Sequence, residues 1–201
     1  MTFATPASSE RTLSLAIMAE QLPAVEDVIL DVLSQLKKEF RRAMLPLNVY
    51  DVYCKDPPAG GAHPFKLVVY TPCSCPSSTV FISNRRDGWN SFCYLMAERH
   101  KKFQIQVTST SNHAKYPKNM FQTWHDGRSS RIVMALRDDD KWKFSERGET
   151  QPFEENGLYL HKLIKERMNR NIIISYLNKI GYHVDSAAFW ESTTDGIYFL
   201  E

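Results

Sequence analysis

In RIVMALRDDDKWKFSERG, residues 131–148, apolar side chains recur at every second position on both sides of three aspartates. Ile132, Met134 and Leu136 share one face of an extended chain, and beyond the aspartates Trp142 and Phe144 do the same. Period-two patterning around a short polar connection predicts a β-hairpin, and a hairpin commits this part of the chain to antiparallel pairing. FQIQVTST from 103 repeats the alternation, with Phe103, Ile105 and Val107 opposed to Gln104, Gln106 and Thr108, the pattern of a sheet with one wet face.

Other short β-rich runs are LNVYDVY from 47, KLVVYT from 66, TVFIS from 79 and GIYFLE at the end of the sequence. The stretches PPAGGAHP and PCSCPSS separate the first three and are strong breakers. Strands gathered in adjacent groups favour an antiparallel or mixed sheet over a doubly wound parallel one.

Helical periodicity lies outside these groups. Val25, Val28, Ile29, Val32, Leu33, Leu36, Phe40 and Met44 fall on one face of a helix over 23–44, with acids near its start and bases near its end. Ser8 or Ser9 could cap an earlier helix over 10–21, and Asp87 one from Gly88 to about His100. Apolar residues from Leu158 to Met168 and from Ile172 to Ile180 predict helices within 154–180, which Asn169 could divide and Gly181 closes. Residues 110–130, with Pro117, Gly127 and many polar groups, read as a long loop. The expected architecture is a single α+β domain over 10–201 after a flexible 1–9, with the N-terminal helix 23–44 and the C-terminal helices packed on one face of the sheet.

Composition narrows the functional classes. The 201 residues hold 25 Lys plus Arg against 23 Asp plus Glu and are 43% hydrophobic, so the chain is nearly neutral and of ordinary globular composition. There is no apolar run of about 18 residues, so no membrane partner is expected. Leu13 to Ala19 is followed at once by Glu20 and makes a poor signal peptide, and four cysteines without regular spacing are too few for a disulfide scaffold. A cytoplasmic location is the resulting expectation.

No cofactor motif is present: there is no phosphate loop, no G-x-G-x-x-G and no H-E-x-x-H. Cys54, His63, Cys73 and Cys75 follow the spacing C-x8-H-x9-C-x-C, which brings two thiolates to one ion less readily than C-x2-C, so no metal is assigned. WHDGRSS collects His125, Asp126, Ser129 and Ser130, the residue types of a small hydrolase, but Asp-Gly is also a standard turn pair. Residues 85–118 hold seven basic side chains against Asp87 and Glu98, interleaved with aromatics, the pattern of a nucleic-acid binder.

The leading expectation is a non-catalytic, protein-binding chain, of the kind that includes inhibitor and immunity proteins. Its anchors would be Arg85, Arg86, Trp89, Tyr116 and Trp124, because loop aromatics and arginines bury large area at small entropic cost. The first two helices could also pair in a homodimer.

Overall fold

A computed structural model of the chain describes residues 12–35, 41–45, 66–83, 89–101, 104–111, 114–192, 194 and 196–200, of which 41–45 and 200 are described by backbone alone. The expected flexible segment 1–9, the run from 47 and Asp87 itself lie outside the described residues, and the N-cap of the helix Asn90–His100 is Trp89 instead of Asp87. The architecture is α+β, as expected. Among the described residues nine strands form one antiparallel sheet: β1 Leu13–Met18, β2 Arg41–Leu45, β3 Lys66–Tyr70, β4 Thr79–Ser83, β5 Gln104–Ser109, β6 Lys118–His125, β7 Arg128–Asp138, β8 Lys141–Gly148 and β9 Gly196–Leu200. Their order across the sheet is β2-β9-β3-β4-β1-β5-β6-β7-β8, so the expected hairpin over 131–148 forms one end of it.

The helices cover both faces, which corrects the expectation of one. α1 (Leu22–Gln35) and α2 (Asn90–His100) pack with Ala16, Met18, Leu67, Val69 and Phe81. The opposite face carries a 3-10 turn (Asn156–Leu160), α3 (Ile164–Arg167), α4 (Arg170–Lys179) and α5 (Ala187–Trp190). Buried groups from this layer, such as Ile173 and Leu177 of α4, join Leu13, Leu15, Ile17, Val68, Tyr70, Val107 and Val133 in a second core. Strict alternation along β1 and β3 sends neighbouring residues into different cores, so these strands read as continuous apolar runs.

That doubly buried character explains three further corrections. The helix expected over 10–21 is the central strand β1, every residue of which is buried; a short apolar run fits a buried strand as well as a helix. The helix expected over 23–44 is described over Leu22–Gln35 and cannot reach 44, because Arg41–Leu45 pairs with β9 as the edge strand β2. Pairing at a sheet edge overrides the helical spacing that continues through Met44. The side of β5 read as wet is buried, with the Gln104 amide donating to the Cys93 carbonyl of α2 at 2.5 Å.

Residues 110–130 are largely strand rather than loop. β6 and β7 turn tightly at Asp126-Gly127, both at positive φ, the geometry whose twist suits a two-residue hairpin. Buried polar groups on β6 hide its alternation from a hydropathy reading: Ser109 donates to Asn119 at 2.7 Å, and Gln122 to Ser129 at 3.0 Å. Asn169 does cap α4, its side chain accepting from the Ile172 N–H at 3.1 Å, and Gly181 sits at φ 92 just beyond the helix end.

Candidate binding surface

The expected anchors do not form one patch. Arg85 and Arg86 lie outside the described residues. Trp89 occupies the N-cap position of α2 at φ 58 and stacks on Phe92, ring centroids 4.4 Å apart, so it is half-buried against the α1–α2 core. Trp124 is a strand residue, 4% exposed, with Tyr94 edge-on at 5.7 Å, and is therefore interior to the fold instead of displayed on a loop. Trp190 is fully buried and donates its indole N–H to the Val184 carbonyl. Only Tyr116, 57% exposed with the Lys115 ammonium 5.2 Å from its ring, remains an open aromatic anchor.

The other two readings meet similar geometry. Arg99 and Lys101 end α2 at the start of β5, whereas Lys115 and Lys118 follow its end, so the strand's length of roughly 20 Å divides the basic stretch. His125 and Asp126 touch at 3.1 Å on the hairpin tip, but the side chains are 63% and 76% exposed and so stand in water. Ser129 and Ser130 are engaged by Gln122 and Thr123 across the hairpin. Cys54 and His63 lie outside the described residues; Cys73 and Cys75 sit in the turn before β4, with the Cys75 thiol 3.2 Å from the Gly181 carbonyl. Among the described residues no three potential metal ligands gather, and no helix is long and apolar enough to cross a membrane.

A different surface is built at the β7–β8 end of the sheet, and its foundation is a buried ion network. Arg131 on β7, 2% exposed, donates from Nε and Nη2 to Glu154, whose side chain has no exposure, and from Nη2 to Glu146 at 2.7 Å. Its Nη1 donates to the Gly148 carbonyl. The Glu154 carboxylate also accepts from the Tyr159 hydroxyl at 2.6 Å and the Gln151 N–H at 2.9 Å, and Tyr159 meets the Tyr176 hydroxyl at 3.0 Å.

Burial alone drives the Glu154 carboxyl upward, but the donors from Arg131, Tyr159 and Gln151 outweigh it and hold its pKa below the ordinary value. For Arg131, burial opposes the charge and the two carboxylates more than restore it. Burial and then the bond to Glu154 push the Tyr159 phenol up, so it stays a donor. Every charge in the network is met by hydrogen-bonding partners, which lets it act as a rigid strut.

The strut pins Tyr159 inward, its ring tilted against Phe144 of β8 at 5.5 Å, and the next residue is turned out. Leu160 is 83% exposed and Leu163 51%, with Lys162 and Lys165 exposed beside them. Arg167 holds this segment in place: its Nε donates to the His161 carbonyl at 2.7 Å and its guanidinium lies over the Phe144 ring at 5.6 Å. An open groove of about 390 Å³ runs alongside, between the 3-10 turn and α4, lined by Leu158, His161, Glu166, Asn169, Ile172 and Tyr176. Tyr116 belongs to the same end of the sheet, because Arg137 at the end of β7 donates to the Ala114 and Pro117 carbonyls.

The helical reading of Leu158 to Met168 counts Leu160 and Leu163 among the apolar residues of a helix packed on the sheet. The available warning was the two-residue spacing of Leu158 and Leu160, which cannot share one helical stripe, together with lysines interleaved among the leucines. No protein-family model, curated protein or solved structure matches the chain.

Proposed function

We propose that this chain is a non-catalytic protein-binding module that engages an acidic partner through the leucine–lysine segment 158–167 and the adjoining β8 strand. The observation that carries the reading is Leu160, displayed at 83% exposure next to Tyr159, which is held by the buried Arg131–Glu154 pair. Leaving a leucine in water forgoes roughly 1.5–3 kcal/mol of burial. A fold that rigidifies such a residue presents it with little entropy left to lose on contact. The sign of the partner follows from charge: Lys141, Arg147, Lys162, Lys165 and Arg167 stand on β8 and this segment against Glu166, while Glu146 is already paired with Arg131 and Lys143 with Asp138. Binding through apolar anchors with a charged rim is the usual economy of such surfaces.

Selection of a random displayed 12-residue peptide library against the full chain tests this. Sequences enriched in Asp or Glu around a Leu, Ile or Phe are expected, and a Leu160→Ser, Leu163→Ser double variant should lose them while unfolding at the same temperature as the parent. Enrichment indifferent to that double variant would overturn the proposal. So would stronger association with phosphatidylserine vesicles than with any selected peptide, since that outcome assigns the same leucines and lysines to a lipid surface.

A further inference from the structure

β8 is the last strand of the sheet, and among the described residues nothing pairs with its outer edge. The turn before it holds Asp139 and Asp140 at φ 49 and 62, a two-residue hairpin connection with both central residues left-handed, so Asp138 and Lys141 form its closing hydrogen-bonded pair. Antiparallel pairing alternates from there: Lys141, Lys143, Ser145 and Arg147 direct their backbone groups to β7, and Trp142, Phe144 and Glu146 direct theirs outward. The unpaired row belongs to the residues whose side chains lie on the face of Tyr159 and α3.

Resting on the protein-binding reading above, we infer that the partner contributes an extended acidic segment that adds to β8 as a tenth antiparallel strand. An open edge is a template for any chain, so the question is which chain is admitted. A second copy is disfavoured by charge: β8 paired antiparallel with itself about Phe144 sets Lys141 opposite Arg147 on both sides. Lys141 and Arg147 attract a strand carrying Asp or Glu on that face, where Lys143 is already paired with Asp138. On the other face, Trp142, Phe144 and the exposed leucines beyond them accept apolar side chains, so the preferred segment alternates acidic and apolar residues. The aspartates at 138–140 bound the site at one end and keep the acids of the segment away from the turn.

The test uses the full chain and a labelled ten-residue peptide of alternating Glu and Val. Two further versions carry backbone N-methyl groups on the Glu positions only or on the Val positions only. Strand addition predicts that one methylated set binds about as well as the parent peptide and the other at least about tenfold more weakly, because methylation removes only the N–H groups aimed at β8. Amide exchange at Trp142, Phe144 and Glu146 should slow on peptide binding, and a Lys–Val peptide should bind at least about tenfold more weakly than the Glu–Val one. If both methylated sets bind equally and still require Leu160 and Leu163, strand addition is refuted while the protein-binding reading stands. If the Glu–Val peptide fails to bind and the chain itself dimerises with slowed exchange along β8, the occupant is a second copy and the inference falls.

Discussion

Substituting Glu154→Gln keeps the shape of the side chain and removes its charge from a site with no solvent exposure. Arg131 then retains only Glu146, a half-exposed carboxylate, as an anionic partner. Stranding one member of a buried pair costs about 3–5 kcal/mol, and the surviving partner puts this case near the lower figure. For a chain of this size, roughly 2–4 °C of melting temperature accompanies each kcal/mol, so a fall of about 6–12 °C is expected. The double variant Arg131→Met, Glu154→Leu removes both charges and should recover most or all of that loss.

The pH dependence carries the same information. Because the folded pKa of Glu154 lies below that of an unfolded glutamate, near 4.3, its contribution is complete above that pH and disappears as pH falls through the folded value. Urea denaturation of parent, single and double variants from pH 3 to 8 at fixed ionic strength is the assay. A single substitution costing under about 1 kcal/mol at pH 7, or a double variant no better than the single, would refute the strut.

Other substitutions test other parts of the fold. Among the described residues the buried Tyr70 hydroxyl has no hydrogen-bond partner, so Tyr70→Phe should raise stability in urea by about 1 kcal/mol. A Cβ on Gly148 would stand 1.9 Å from the Ser130 carbonyl oxygen at φ 88, so Gly148→Ala should cost more than about 3 kcal/mol, whereas Gly157→Ala, which meets nothing within 4 Å, should change the denaturation midpoint little. Asn169→Ala removes the α4 cap and should cost about 1 kcal/mol in the same measurement, with helical signal lost at 222 nm near the midpoint.

Elements governed by local chemistry were the readable ones. The 131–148 hairpin follows from alternation and a turn whose aspartates tolerate positive φ, and α4 from Asn169 and Gly181 at its two ends. β1 was misread because burial on both faces erases the polar half of the period, and β6 because Asn119, Gln122 and Thr123 are polar yet buried and satisfied by neighbouring strands. At the candidate surface, the excess of lysines was plain in the sequence. The outward turn of Leu160 was not, since it depends on Arg131 reaching a glutamate 23 residues away. Trp124 shows the reverse error: its place beside Asp-Gly suggested a loop, and a bend of only two residues leaves it inside a strand.

β1 has one more implication, for how the chain finds its alignment. A strand wet on one side resists sliding, because a shift by one residue exchanges oily and watery neighbours. With both sides dry, Leu13–Met18 lacks that safeguard, and the choice between offsets falls to the few hydroxyls and amides it meets, such as Ser14 against Thr108 at 3.2 Å. Erasing those marks should leave the final stability almost intact while letting mis-threaded sheets compete during refolding.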